Sequence, residues 1–280
     1  MRVEAHAKIN WALNITGRLP DGYHALDMVM QSIALSDTLD IAPAQTLSLT
    51  VDGAPDPHAE DNLVMRAARA LNAAAGTDRG ACMALQKRIP ARAGLGGGSA
   101  DCAAALRTLN ALWELGFDDA ALSAIGARLG ADVPFCLAGG LARVSGIGEI
   151  IAQVPGVPEI PLLLVTPGGG LSTGPVFRLW DEGGFPAVSL DSRALADAVA
   201  RRDLSAVDRL CANALTAPAV ALMPEIGAVI SAMRAQGAKA AFMTGSGSTV
   251  VGAFGDEAAA RRAAGAFEGA VLTRSLAGQT

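Results

Sequence analysis

Four of the five residues from Gly94 to Gly98 are glycine, within Pro90-Ala91-Arg92-Ala93-Gly94-Leu95-Gly96-Gly97-Gly98-Ser99-Ala100-Asp101. A strongly helical run, ADCAAALRTLNALWEL, follows at once. Without a Cβ the backbone can wrap closely round phosphate oxygens, and the free N–H groups at the helix start point at the anion. The dipole there favours an anion by ~0.3–1 kcal/mol at exposed sites, so several N–H contacts together make a triphosphate cradle. Two commoner phosphate loops are excluded by spacing: GxxxxGK[ST] is absent, and Ser99 stands where GxGxxG needs its last glycine. A merely flexible turn is the plain alternative, which the density of glycines just before a helix disfavours.

Lys8 and Asn10 put a charge and an amide into Ala7-Lys8-Ile9-Asn10, inside an otherwise half-buried strand pattern. Both residue types are depleted in strands and costly to bury unpaired. Either this is a solvated strand face or the ammonium has a carboxylate partner, for which Asp132 is the candidate. Asp132 lies between Leu129-Gly130-Ala131 and Val133-Pro134-Phe135, just past a helix end, where Asp also serves as a turn former or cap.

Asp21-Gly22-Tyr23-His24 joins a turn to the chain's only Tyr and one of its three His. A flat ring and a directional imidazole suit a nucleobase; the plain reading is that Tyr23 packs and His24 is solvated. Thr244-Gly245-Ser246-Gly247-Ser248 reads equally as a second backbone nest for an anion or as a tight hairpin turn. Two small-residue loops, one in each half, favour a ligand site at a domain interface. His6 and His58 have no comparable setting and read as structural.

The elements that must carry these residues begin with β structure. Val3 to Ile15 reads as a strand ending at Gly17 to Gly22, with short strands at Met28 to Leu35, Thr38 to Ile41 and Leu47 to Val51. Asp61 or Asn62 is placed to cap the helix LVMRAARALNAAA. Cys82 to Leu85 reads as a strand leading to the glycine loop and its helix. A helix over Asp118 to Arg128 leads into Asp132, and strands follow at Leu141 to Val144 and Glu149 to Val154. Pro155, Pro158 and Pro161 mark a boundary, which predicts domains at 1–156 and 157–280. Beyond it come a strand at Leu162 to Val165, helices at Leu195 to Ala200, Leu204 to Leu215 and Ile226 to Met233, and then strand, strand, helix, strand to Arg274. That order suits a split βαβ, ferredoxin-like half.

With 280 residues, 51% of them hydrophobic, the chain is globular and long enough for two domains. A net charge of −5 offers no basic field, so nucleic acid and anionic membrane are not expected partners. Cys82, Cys102, Cys136 and Cys211 have no CxxC spacing and read as reduced core residues. Arg2, Glu4 and Lys8 break the apolar run a signal peptide needs, and no window approaches about 18 apolar residues. These readings predict a soluble, cytoplasmic protein.

Taken in order, Ala7 to Asn10, Pro90 to Asp101, Leu129 to Pro134 and Thr244 to Ser248 resemble the motifs of the galactokinase/homoserine/mevalonate/phosphomevalonate kinase superfamily, over nearly the whole chain. Asp21 to His24 with Gln31, Glu60-Asp61-Asn62-Leu63 and Gly146-Ile147-Gly148-Glu149 resemble the branch that phosphorylates a cytidine-diphosphate-linked methylerythritol on the non-mevalonate route to isoprenoid precursors. The resemblance implies an α+β fold, with an N-terminal ribosomal-protein-like α/β domain, a C-terminal ferredoxin-like domain and the active site between them.

It implies Asp132 as the base and Lys8 as its partner, with Pro90 to Ala100 around the ATP phosphates and Asn62 and Lys87 near the adenosine. Asn10, Tyr23, His24 and Phe177 would hold the acceptor, Phe177 being placed by Thr173-Gly174-Pro175-Val176-Phe177. Magnesium is expected with ATP, and Ser99 is its one named ligand. The sequence departs from the family at Ala100, where a second Ser is common, and at Asp101, where Asn is also familiar. A homoserine- or mevalonate-type kinase and a nucleotide-binding regulator without turnover are the rival readings. A dinucleotide-binding oxidoreductase is disfavoured by its glycine spacing.

Overall fold

The computed structural model describes residues 1–20, 22–185 and 188–277. Asp21 of the expected turn therefore lies outside the described residues. Contacts divide the chain into two compact units, one of Met1–Ala7, Leu35–Ile89 and Gly96–Ala138, the other of Lys8–Ala34, Pro90–Leu95 and Gly139–Thr280. The long strands β1 (Arg2–Arg18) and β2 (His24–Ala44) pair with each other, and each contributes residues to both units.

In the first unit, the C-terminal half of β2 is followed by β3 (Leu47–Val51), β4 (Ala54–Pro55) and β5 (Gly80–Gln86). β2 pairs antiparallel with β5, from Thr38 opposite Gln86 to Ala44 opposite Gly80, and β3 runs parallel to β5 with β4 outside it. The sequence breaks β2 at Ser36-Asp37, whereas the structure runs one strand straight through. Asp37 is fully buried, but its carboxylate accepts the Lys87 ammonium and the N–H groups of Arg88 and Ile89, so its charge is not left unpaired in the strand.

Helix α1 (Leu63–Ala75) starts at Asn62, whose side-chain oxygen accepts from the Val64 N–H at 3.0 Å, and stops at left-handed Gly76. α2 (Gly97–Leu112) packs against it, with Ala100, Ala103, Ala104 and Ala105 buried, small side chains that let helices approach closely. Asp118 caps α3 (Asp119–Ala127) by accepting from the Ala121 N–H. A short helix, α4 (Val133–Ala138), follows Asp132 directly and was not expected; Pro134 is tolerated in its first turn because the missing N–H has no helical partner there.

In the second unit, Leu26 to Gln31 of β2 pair antiparallel with β6 (Leu141–Gly146), which pairs with β7 (Ile150–Val154). The chain then builds β8 (Pro161–Val165), five α-helices among the described residues, β9 (Ala240–Met243), β10 (Val250–Ala253), α10 (Glu257–Ala264) and β11 (Val271–Arg274). These strands form one sheet in the order β11-β8-β10-β9, the ferredoxin-like arrangement expected from the element order. β9 and β10 are buried on both faces, which explains their continuous apolar runs.

Between β8 and β9 the described α-helices are α5 (Thr173–Asp181), α6 (Ser192–Ala200), α7 (Leu204–Leu210), α8 (Thr216–Leu222) and α9 (Glu225–Ala235). The helix expected over Leu204 to Leu215 stops at Leu210. Asn213 is the reason: its amide donates to the Met243 and Gly245 carbonyls at 3.0 and 2.8 Å, and its oxygen accepts from the Leu215 N–H. A continuous helix would leave those carbonyls unanswered.

The cysteines correct the sequence reading in part. Cys102 is buried, and burial pushes its thiol up to about 12. Cys136 and Cys211 are half-buried, and Cys82 is exposed, because Ala81, Met83 and Leu85 face inward along β5 and Cys82 takes the opposite face. Among the described residues, no single helix is long and apolar enough to cross a membrane.

Candidate active site

The glycine loop opens α2 as expected. Gly96, at φ +69, is the N-cap residue and brings no side-chain cap, so the first turn of a 16-residue helix has no side chain covering its N-cap position. The preceding residues are seated on the loop between β9 and β10. An added Cβ at Gly94 would fall 2.3 Å from the Thr244 carbonyl oxygen, and one at Gly245 would fall 2.8 Å from the Gly94 carbonyl oxygen. The Thr249 N–H donates to the Ala93 carbonyl at 3.3 Å, and the Lys8 N–H donates to the Leu95 carbonyl at 3.0 Å. Thr244 to Ser248 thus connects two antiparallel strands and also supports the glycine loop. Gly245 is required there by its close approach to the Gly94 backbone.

Lys8 is 4% exposed, which removes the reading of a solvated strand face. Its ammonium donates to Asn10 Oδ1 at 2.7 Å, two residues on along the same face of β1. The Asn10 N–H donates to Thr244 Oγ1 at 2.8 Å, and its side-chain amide lies 3.4 Å from Met28 Sδ. Asn10 is therefore the buried seat of Lys8. Asp132 is half-buried, and its carbonyl accepts from the Cys136 N–H at 3.0 Å to start α4. Lys8 belongs to the second unit and Asp132 to the first. Ser99, in the first turn of α2, has its hydroxyl 3.6 Å from where a Cβ on Gly130 would stand, two residues before Asp132.

Lys87 sits between two carboxylates, hydrogen-bonded to Asp37 and, at 2.6 Å, to Asp101 Oδ2. Burial pushes the Asp101 carboxyl up to about 7 against the pull of Lys87. For Lys87, burial would lower the ammonium, but the two carboxylates outweigh it and hold it above its ordinary value. Asn62 caps α1 and donates from its amide to Asp56 Oδ2 at 2.9 Å.

His24 and Phe177 meet, with ring centroids 4.8 Å apart and planes 31° from parallel. The sequence reading missed two further members of this cluster. Trp180 lies perpendicular to the imidazole with ring centroids 5.6 Å apart, and Asp181 Oδ1 lies 2.7 Å from His24 Nε2. Phe177, Trp180 and Asp181 fall at i, i+3 and i+4 of α5, the spacing that would have found them had that helix been expected. Tyr23, next to His24 in the chain, is 61% exposed.

Other motif residues have structural work. Gln31 accepts from Trp11 Nε1 at 2.7 Å, and Glu149 turns back to take the Ile147 N–H at 2.7 Å in the β6–β7 turn. Among the described residues, no group of three or more His, Cys, Asp or Glu could hold a metal ion. Magnesium bound with ATP keeps most of its shell as water and phosphate oxygens, and the Ser99 hydroxyl in the first turn of α2 fits that modest requirement.

The GHMP kinases N terminal domain family matches residues 62–140, and the GHMP kinases C terminal family matches residues 195–271. A 4-diphosphocytidyl-2-C-methyl-D-erythritol kinase of Pelotomaculum thermopropionicum is 43% identical, across 94% of this chain and 92% of its own length. One of Paracoccus denitrificans is 44% identical, across 94% and 90%. The chain belongs to the 4-diphosphocytidyl-2-C-methyl-D-erythritol kinase family. As a GHMP kinase it is an ATP-dependent small-molecule kinase. The crystal structure of a 4-(cytidine 5'-diphospho)-2C-methyl-D-erythritol kinase matches with a TM-score of 0.83 at 36% identity, covering 100% of both chains. A homoserine kinase from Cytophaga hutchinsonii, at 18% identity, a TM-score of 0.75, and coverage of 100% of this chain and 95% of its own, shares the fold.

Proposed function

We propose that this kinase transfers the γ-phosphate of ATP to a hydroxyl of 4-diphosphocytidyl-2-C-methyl-D-erythritol, the 2-hydroxyl by family resemblance, in the cytoplasm and on the non-mevalonate route to isoprenoid precursors. The observation that carries the acceptor assignment is the cluster of His24, Phe177, Trp180 and Asp181. Stacked rings and an imidazole with one nitrogen fixed by a carboxylate suit a nucleobase, which needs flat contact and directional hydrogen bonds. Homoserine and mevalonate carry no base and give this cluster nothing to bind. Tyr23 supplies a further flat surface.

In this reading the ATP-binding domain is taken as residues 1–156 and the ferredoxin-like one as 157–280, a division along the sequence that the two compact units cut across. Pro90 to Ala100 enclose the ATP phosphates, with Asn62 and Lys87 towards the adenosine. Asp132 takes the proton of the acceptor hydroxyl as that oxygen bonds to the γ-phosphorus. The bond from the γ-phosphorus to the β–γ bridging oxygen breaks, and ADP leaves with the electron pair. Lys8 orients and polarises the attacking oxygen, and Asn10 holds Lys8 to that task. Such chemistry needs alignment and charge neutralisation above all. The Ser99 hydroxyl would hold the magnesium that accompanies ATP, and that ion would supply part of the charge neutralisation.

Steady-state kinetics of His24→Ala and Phe177→Ala test the acceptor assignment. Each raises KM for the cytidylylated acceptor by roughly 5- to 150-fold, the range for losing one base-stacking partner, and leaves KM for ATP unchanged. An unchanged acceptor KM in both variants would refute it.

A further inference from the structure

The triad Asp37, Lys87 and Asp101 is more heavily charged than structural duty alone requires. One ammonium faces two carboxylates, and both acids are buried, Asp37 at 0% and Asp101 at 3% exposure. Asp101 Oδ1 is buried without a hydrogen-bond partner. A buried cluster of this kind is a poor source of stability, since well-packed apolar residues of similar volume often do as well or better. What it supplies is fixed geometry. Asp37 takes the Lys87 ammonium and the N–H groups of Arg88 and Ile89, so three consecutive residues are held by one carboxylate on β2. Asp101, in the second turn of α2, takes the other side of the same ammonium at 2.6 Å.

These residues bracket the glycine loop. The chain leaves the first unit after Ile89 and re-enters it at Gly96. Gly97 rests on the bracket: a Cβ there would fall 3.0 Å from Ile89 Cγ2 and 3.5 Å from Lys87 Nζ. The separation between the loop's point of departure and the first turn of α2 is therefore set by Lys87 and its two acids.

We propose that Lys87, Asp37 and Asp101 are positioning residues, an ionic staple that holds the ends of the glycine loop so that the N–H groups opening α2 are preset for the ATP phosphates. The staple rests on the reading of that loop as the ATP cradle. Lys87 lies towards the nucleotide, but its charge is committed to the two carboxylates and it acts through the loop.

Asp101→Asn decides the matter, because it keeps the volume and an oxygen for Lys87 while removing one charge. KM for ATP, KM for the acceptor, kcat and amide hydrogen exchange over residues 94–99 of the nucleotide-free protein are measured. The staple predicts a rise in KM for ATP of about tenfold, the upper part of the range for coupling through packed networks, an acceptor KM within about twofold, and faster exchange in the loop. Lys87→Met shows the same pattern more strongly; should it fail to fold, Asp101→Asn stands alone. An unchanged or lowered KM for ATP in Asp101→Asn, as expected if a freed Lys87 touched the nucleotide directly, overturns the staple. Absence of ATP turnover in the wild type would sink the ATP reading instead, and the exchange rates would still support or refute the staple.

Discussion

At the scale of single residues, the proposed chemistry rests on a few polar groups placed in apolar surroundings. Lys8 announces itself in the sequence as a charge inside a strand pattern, and its burial bears out that it is no solvated surface residue. Its seat on Asn10 and the link from Asn10 to Thr244 join positions 234 residues apart, which no local pattern encodes. Asp132 was legible as a charge after a helix end, but its place at the head of α4 was not, because that six-residue helix is too short to show a period. As the proposed base, Asp132 predicts that Asp132→Asn binds ATP normally and loses roughly 10²–10⁴-fold in kcat, the usual worth of a general base. Calorimetric titration with ATP and single-turnover rates check the two halves of that statement. Near-normal turnover would remove Asp132 from the role.

At the scale of elements, the glycine loop and α2 are the most legible part of the chain, since glycine density and an alanine-rich helix are strong local signals. What the sequence cannot show is that these glycines serve different ends. Gly94, at φ +76 and with no room beside the Thr244 carbonyl, is required by packing, whereas a Cβ at Gly98 would meet Leu63 at an ordinary 3.4 Å. Gly94→Ala therefore lowers the unfolding temperature by roughly 2–10 °C, from backbone strain of ~1–3 kcal/mol. Gly98→Ala leaves that temperature unchanged, because its added methyl group meets Leu63 only at an ordinary contact distance. Thermal unfolding separates the two; a destabilised Gly98→Ala or an undisturbed Gly94→Ala would show the packing account to be wrong. Elsewhere, strand β2 was broken in the sequence reading at Ser36-Asp37 for want of the distant donors on Lys87, Arg88 and Ile89. Helix α5, whose first turn holds Gly174 and Pro175, has no counterpart in the sequence reading, although proline is well tolerated there.

At the scale of the whole molecule, the order of elements after Pro161 was enough to reach the ferredoxin-like sheet, because β8, β9, β10, α10 and β11 each carry a local signature. The interleaving of the two units along the sequence was not legible. It arises because β1 and β2 are long enough to serve both, and a strand's pattern does not say what it pairs with along its length. The proposed acceptor site is likewise a property of the assembled cluster around His24, of which the sequence showed only part. The most direct test is ATP-to-ADP turnover by the full chain with magnesium, comparing 4-diphosphocytidyl-2-C-methyl-D-erythritol with homoserine and mevalonate and identifying each product by mass. Phosphorylation of the cytidylylated acceptor alone is the predicted result; turnover of homoserine or mevalonate with none of the cytidylylated compound would contradict the account.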